Sequence, residues 1–285
     1  MTAAASPVLL ISPDGMLGRA VATLLHTRGV PFEGVSYPAF DLCSAGSVET
    51  TLAPRFRTVI NCSAFTDVDG AETREAEADA VNADGVRKLA ERCRATGAVL
   101  LHFSTDYVFD GTANAPYSVT AALHPQTAYG RSKAKGEALL LASGCEYLLV
   151  RTSWLYAPWG KNFVDTMVRL VRERPVVRVV NDQRGRPTSA EYLAARSLAL
   201  LEQRARGTFH VTDGGECTWF EFTKAIAAGS GGSAQIEPCT SAEFARPAPR
   251  PAYSVLDLSA TEALLGPSRA WQDNLADVLR ARTAQ

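Results

Sequence analysis

Tyr129 and Lys133, four apart in "AYGRSKAKGE", are the pair in this chain best suited to proton chemistry. On a helix that spacing puts both side chains on one face, about one turn apart. A phenol titrates near ~10, and an adjacent ammonium stabilises the phenolate and lowers that value. A tyrosine so tuned can hand a proton to a carbonyl oxygen undergoing reduction. The spacing alone is not specific, so the neighbouring polar loops matter. "HFSTDYVFDG" sets Ser104, Thr105, Asp106 and Tyr107 just past an apolar run that reads as a buried strand. Thr105 is then expected to hydrogen-bond the same carbonyl. "NCSAFTDV" sets Asn61 to Thr66 past another such strand.

A further loop lies in "VLLISPDGMLGRAVATLLHTRG", where an apolar strand turns into an amphipathic helix. Dinucleotide-binding loops carry three glycines there, and this one reads Ser12-x-x-Gly15-x-x-Gly18. Gly15 would let the backbone approach phosphates, and Gly18 would let helix and strand pack closely. The helix start offers free N–H groups and a positive dipole end to a pyrophosphate. Ser12 can make the turn freely if its φ is negative. A positive φ would cost on the order of 1–2 kcal/mol. With Gly15 and Gly18 both present, a working cofactor loop is expected.

The elements that must position these residues follow from the pattern. "VLLIS", "FEGVSY", "TVINCS", "AVLLHFS" and "EYLLVRTS" alternate with helix-like stretches. The helices run from about Met16 to Arg28, Ala45 to Ala53, across "ADAVNADGVRKLAERCRATG", and Ala128 to Leu141. Such alternation predicts βαβ units and a Rossmann-like, doubly wound parallel sheet of the α/β class. The near-continuous apolar strands fit burial on both faces. Ligands then sit beyond the carboxyl ends of the strands, where all the polar loops fall.

After Ser153 the pattern loosens. A helix is expected at Phe163 to Glu173, a strand at "VVRVVN", a helix at about Glu191 to Arg204 and a short strand at "TFHVT". "AAGSGGSA" reads as a surface loop, and "RPAPRPAY" as an extended segment. The last helix lies near Trp271 to Arg282. This divides the chain into a dinucleotide-binding domain, 7–152, and a smaller α/β substrate domain, 153–285. Strands near 176–181 and 207–211 are expected to extend the first domain's sheet.

Composition narrows the partners. Hydrophobic residues make up 46% and the net charge is −1, so no basic surface for nucleic acid is expected. No run of about 18 apolar residues suggests a membrane span. The start, "MTAAASP", lacks the basic-then-apolar order of a secretory signal. Cys43, Cys62, Cys93, Cys145, Cys217 and Cys239 are scattered, without a Cys-x-x-Cys pair or a Cys/His cluster. They read as reduced thiols of a cytoplasmic protein.

Taken together, "DGMLGR", "VINCSAFTDVDGAE", "VNADGV", "FSTDYVFDG", "YGRSKAKGE", "RTSWLY", "NDQRGRPTS" and "RPAYSVLD" resemble the dTDP-4-dehydrorhamnose reductase family of extended short-chain dehydrogenases/reductases. The resemblance runs from Gly15 to Asp257. It implies Tyr129 as proton donor, Lys133 as its electrostatic partner at the nicotinamide ribose, and Thr105 as the third catalytic residue. It further implies Ser12, Gly15, Met16 and Leu17 at the pyrophosphate, Asp41 and Leu42 by the adenine, and Ala64, Phe65 and Phe103 along the cofactor. Thr66, Thr105, Asp106 and Trp154 would meet the sugar nucleotide.

The implied reaction is hydride transfer to C4 of a dTDP-4-keto-6-deoxy-L-hexose. A different nucleotide deoxyhexose is the alternative. The family also contains a non-catalytic regulatory subunit, that of methionine adenosyltransferase, but the complete Thr105/Tyr129/Lys133 set argues for catalysis. Ala20 stands where some members place a glutamate that helps bind Mg²⁺ at a dimer contact, so no metal is expected and the choice between monomer and homodimer stays open. Arg184 and Arg186 serve either a diphosphate or a solvated face. No acid ends "FEGVSY" to claim a ribose 2′-hydroxyl. Ser36 and Arg19 are read as facing a 2′-phosphate, making NADPH the expected cofactor, with NADH left open.

Overall fold

The computed structural model describes residues 7–283, so all but Pro7 of the opening "MTAAASP" lies outside the described residues. In chain order, β1 (Val8–Ile11), α1 (Met16–Thr27), β2 (Phe32–Val35), α2 (Ala45–Thr51) and β3 (Thr58–Asn61) come first. Two short helices follow, α3 (Val68–Ala71) and α4 (Glu75–Asp79), then a π-helical turn over Ala80–Gly85 and α5 (Val86–Thr96). β4 (Val99–Thr105), α6 (Ala128–Ala142) and β5 (Tyr147–Thr152) complete the regular alternation. The rest holds β6 (Leu155–Tyr156), α7 (Phe163–Glu173), β7 (Val176–Val180), β8 (Arg184–Gly185), β9 (Thr188–Ser189) and α8 (Ala190–Glu202). Last come β10 (Gly207–His210), β11 (Cys217–Thr218), α9 (Trp219–Ser230), β12 (Gln235–Cys239), α10 (Ser259–Leu265) and α11 (Trp271–Thr283).

Six strands form one parallel sheet in the order β10-β5-β4-β3-β1-β2. The period of two along each strand divides its side chains between two cores. Val8 and Leu10 of β1, Ile60 of β3, and Leu148 and Val150 of β5 face α1 and α8. Leu9, Ile11, Val59 and Leu149 face the opposite way, against Val48, Leu89 and Leu140 of the helices there. Each fully buried Leu, Ile or Val contributes ~1.5–3 kcal/mol, so a one-residue slip of register would expose either core. The chain runs outward from β1 to β2 and returns to β3 on the other side of β1. The strand order therefore reverses between β1 and β3, which opens a crevice at their carboxyl ends.

Beyond Ser153 three expectations need correction. The strand at 207–210 joins the main sheet beside β5, but β7 does not. It pairs in parallel with β12, Val176 opposite Gln235 through Val180 opposite Cys239. Only Val177 and Val179 of β7 are buried, in a third core with Tyr156, Phe222 and Trp271. A strand buried on one face suits that small sheet better than the middle of a doubly covered one. Second, "AAGSGGSA" is not all loop, because α9 runs through Ser230 before Gly231 ends it at φ 69°. Its start carries a capping box, Thr218 with Glu221, a signal present in "TWFE". Third, the long helix expected across "ADAVNADGVRKLAERCRATG" is interrupted by the π-helical turn.

Candidate active site

The loop after β1 reaches the crevice with its first residue strained. Ser12 has φ 59°, the costly alternative, while its N–H donates to the Val35 carbonyl at 2.7 Å. Such conformations persist where the surroundings over-determine them. Gly18 is required by packing: a Cβ there would lie 1.8 Å from the Ser12 carbonyl oxygen. Gly15 is different. Its φ of −69° and ψ of 167° suit any residue, and a Cβ there would meet only the Ser12 oxygen, at 3.5 Å. Nothing in the chain demands glycine at that position. Gly15 is also the N-cap of α1 and supplies no side-chain cap. The first turn of α1 thus faces the crevice with open N–H groups, a fit to a dinucleotide pyrophosphate.

α6 carries Tyr129 and Lys133 on one face, as the spacing implied. Thr127 caps it by accepting from the Gly130 N–H at 2.9 Å. The helix start packs so closely on the loop after β4 that a Gly130 Cβ would lie 2.3 Å from the Tyr107 carbonyl oxygen. Asn82, buried in the π-helical turn, ties two parts of the site together. Its amide accepts from the Phe65 N–H and donates to the Phe65 carbonyl and to Ser132 Oγ, between 2.9 and 3.0 Å. This fixes the Ala64–Thr66 loop against α6. π-turns of this kind are frequent at functional sites.

Lys133 is 2% exposed. Its Nζ donates to the Phe103 carbonyl at 2.7 Å and lies 3.5 Å from His102 Nε2. Asn61 accepts from the Ser63 N–H, which turns its amide nitrogen toward His102 Nδ1 at 3.2 Å. A neutral imidazole accepts at only one ring nitrogen, so His102 accepts from Asn61 or from Lys133 but not from both. Burial and the Lys133 charge hold His102 well below its usual titration range. Burial pushes Lys133 down to about 8, opposed by the charge of Glu137 one turn along. Glu137 is itself held by a buried ion pair with Arg151 at 2.7 Å.

The expectation that Lys133 lowers the Tyr129 pKa is not met by this geometry. The ammonium faces Phe103, and burial raises Tyr129 to about 12 against the pull of the Thr105 hydroxyl. The phenol is protonated across the whole neutral range. Thr105 donates to Asp106 Oδ1 at 2.9 Å and accepts from the Tyr107 N–H at 3.2 Å. Asp106 is 3% exposed, and burial raises it to about 6. The Ser254 hydroxyl lies against the Asp106 carboxyl and opposes that rise, while the Ser104 hydroxyl is buried without a partner, a polar group placed to meet a ligand.

These loops enclose a cleft of about 680 Å³. Of the expected residues, Ser12, Gly15, Met16, Leu17, Ala64, Thr66, Phe103, Thr105, Asp106, Tyr129, Lys133 and Trp154 all line it. Three do not. Leu42 is buried in the core, its side chain packed against Gly85. Asp41 is half-buried and accepts from the Cys43 N–H, two residues on, at 2.8 Å. Phe65 packs with Ala71, Ala78 and Ala128 under the Arg74 guanidinium, which lies 4.9 Å from its ring. The structure adds Asp14, Lys161 and Asn162 to the lining. Asn162 is the N-cap of α7, where it accepts from the Asp165 N–H at 3.1 Å. Spacing gave no sign that α7 begins at the cleft.

Trp154 has φ 47° and stacks on Trp219 with ring centroids 3.5 Å apart. One indole face is thus occupied by protein. The ring lines both the cleft and an adjoining groove of about 300 Å³, where Trp219, Phe163, Arg178, Arg246 and Arg250 converge. Arg250 pairs with Asp69 at 2.9 Å and Arg178 with Glu243 at 2.5 Å. Arg184 and Arg186 line neither space. Arg184 turns to Glu216 at 3.5 Å, and Arg186 lines a separate depression near Gly214 and Glu262. Among the described residues, no helix is long and apolar enough to cross a membrane.

Comparison with known proteins agrees with this geometry. A family model described as the RmlD substrate binding domain matches residues 6–284. A Streptomyces griseus protein named dTDP-4-dehydrorhamnose reductase is 41% identical over 278 residues, covering 94% of this chain and 91% of that protein. A Streptomyces niveus dTDP-4-keto-6-deoxy-D-glucose reductase is 39% identical, covering 92% of this chain and 93% of its own. The crystal structure of dTDP-4-dehydrorhamnose reductase from Bacillus anthracis in complex with NADP matches with a TM-score of 0.93 at 33% identity, covering 97% of this chain and 99% of that one.

Proposed function

The chain belongs to the dTDP-4-dehydrorhamnose reductase family, and from that membership and the cleft just described we propose that it reduces the C4 keto group of a dTDP-4-keto-6-deoxy-L-hexose. The single observation that carries this reading is the convergence of Thr105, Tyr129 and Lys133 on one cleft with the open N-terminus of α1. A reduced nicotinamide dinucleotide lying across Gly15 would supply the hydride. NADPH is the form expected from the strand end after β2, and one solved relative is in complex with NADP.

The residues divide the remaining work. Tyr129 Oη gives its proton to the C4 oxygen as negative charge develops there. A phenol raised to about 12 is still a stronger acid than the alcohol being formed, so the transfer stays downhill. Lys133 places a positive charge beneath the site and anchors to the Phe103 carbonyl, with His102 and Asn61 packed behind it. Asp106 accepts from a sugar hydroxyl, and Trp154 presents its edge to the hexose. The nucleotide end of the substrate extends into the adjoining groove, where Trp219 and Phe163 offer aromatic surface and the arginines face a diphosphate.

The test is oxidation of NADH and NADPH in the presence of a dTDP-4-keto-6-deoxyhexose generated in situ. Oxidation should depend on the sugar nucleotide, and Tyr129→Phe should cut turnover by ~10²-fold or more while dinucleotide affinity holds. Cofactor binding without any oxidation would instead favour a non-catalytic binding role. The relative named for dTDP-4-keto-6-deoxy-D-glucose makes that sugar the second substrate to try.

A further inference from the structure

We propose that Asp69 is a positioning residue for the sugar nucleotide: from α3 it ties down the strap at 246–251 and holds Arg250 so that one edge of its guanidinium stays open to a diphosphate. This rests on the reading of the adjoining groove as the nucleotide end of the substrate site.

The strap has little with which to hold itself. Its sequence is "RPAPRP", and the prolines at 247, 249 and 251 carry no N–H and fix φ. It follows the 3₁₀ turn Ser241–Phe244 and rejoins the fold where the Tyr253 N–H donates to the Gly111 carbonyl at 2.9 Å. Pro251 packs against Gly111, where a Cβ would lie 2.5 Å from the Pro251 Cβ. Between those ends Ala248 is fully buried, and its N–H, with a proline on either side, donates to Asp69 Oδ1 at 3.2 Å.

Asp69 is brought there by the loop that lines the cleft at Ala64 and Thr66. Asp67 caps α3 directly after that loop, accepting from the Gly70 N–H at 2.9 Å. The Asp69 carboxylate takes Arg250 end-on, Oδ1 from Nη1 at 2.9 Å and Oδ2 from Nη2 at 3.0 Å. Arg246 adds a second cation, 3.7 Å from Oδ2. Burial pushes the Asp69 carboxyl up, but the hydrogen bonds from Arg250 and Ala248 and the charges of both arginines hold it below the usual range. Two cations on one anion leave the cluster net positive.

The hydrogens of Arg250 show what is left for a ligand. A guanidinium carries five N–H groups. Nη1 gives one to Asp69 and one to the Ala248 carbonyl, and Nη2 gives one to Asp69. The Nε–H and the second Nη2–H have no partner among the described residues. They share one edge of the planar group, the fork that matches two phosphate oxygens. Arg250 lines the groove together with Trp154, Phe163 and Trp219. An unpaired arginine would lose its rotamer freedom on binding a diphosphate. Asp69 removes that freedom beforehand, which strengthens binding without adding a contact.

Calorimetric titration of the full chain with dTDP, and with thymidine as the probe lacking phosphates, tests the assignment. Asp69→Asn keeps the size and an acceptor for Ala248 but loses the ion pair. Its dTDP affinity should fall by at least about tenfold, while thymidine and NADPH affinities change by less than about twofold. Arg250→Lys keeps the charge without the fork and should lose a similar share of dTDP affinity. Because Asp69 acts through Arg250, adding Asp69→Asn to Arg250→Lys should cost little more. Thermal melting confirms that the variants are folded. An unchanged or higher dTDP affinity in Asp69→Asn or in Arg250→Lys, an equal loss for thymidine, or additive losses in the double variant overturn the assignment and leave the reductase reading intact. An unmodified protein that binds dTDP no better than thymidine overturns the reading of the groove as well.

Discussion

Substituting Gly15 and Gly18 by alanine, one at a time, should separate ligand approach from packing. At Gly18 the added Cβ would sit 1.8 Å from the Ser12 oxygen and 2.9 Å from Pro13 Cα, both backbone atoms. The loop must retreat by roughly 1.5 Å to restore ordinary contact. Overpacking of that kind costs about 1–3 kcal/mol, which lowers Tm by about 2–5 °C in a chain of this size. At Gly15 the backbone is already in a region open to alanine, and the nearest atom is 3.5 Å away. Gly15→Ala should leave stability unchanged, or raise it by about 0.4–1 kcal/mol by restricting the unfolded chain. The methyl group would nonetheless stand over the open N–H groups of α1. Dinucleotide affinity should fall by at least about tenfold, equivalent to ~1.4 kcal/mol. Calorimetric melting and dinucleotide titration on both variants read the two effects. A folded Gly15→Ala that binds either dinucleotide with unchanged affinity would refute the argument that the pyrophosphate crosses this residue. A Gly18→Ala that melts like the unmodified protein would refute the packing argument.

Ser12→Gly should raise stability by about 1 kcal/mol, because glycine removes the strain at φ 59°, and should shift dinucleotide affinity by less than about tenfold; a lower Tm would show that the serine side chain is itself stabilising. Asp106 is raised to about 6, so its carboxylate is lost as the pH falls through that value. KM for the sugar nucleotide should therefore climb as the pH drops from 7 to about 5, while Asp106→Asn should give a high KM without that limb. A flat profile in the unmodified enzyme would remove Asp106 from substrate binding. Trp154→Ala should raise the substrate KM far more than the dinucleotide Kd; equal changes in both would reduce Trp154 to a structural stack on Trp219.

Much of the fold and most of the site could be read from the chain because their signals are local. The β1 run "VLLI" is apolar at every position, and all four residues are buried. Tyr129 and Lys133 share a face because four residues make about one helical turn. Thr105 and Asp106 reach the cleft because they end a strand of a parallel sheet, and that edge of the sheet carries the ligand. The capping box before α9 is equally local, since "TWFE" carries both of its residues.

What only the tertiary structure decided are relations between groups far apart in sequence, set by packing and not by period. Strand β7 left the main sheet because its single buried face met β12, fifty-odd residues on. Lys133 turned to the Phe103 carbonyl, thirty residues away, and burial of the phenol raises Tyr129 where the spacing alone implied a lowering. Phe65 and Asp41 matched a motif, yet their side chains found partners away from the cleft. Asp14 and Ser36 are unremarkable apart; they meet because the Ser12–Val35 hydrogen bond and the missing side chain of Gly34 hold one loop against the end of another strand. Local periodicity determines which elements form and which ends carry polar residues. The charges and hydrogen bonds across the site depend on distances that exist only once those elements pack.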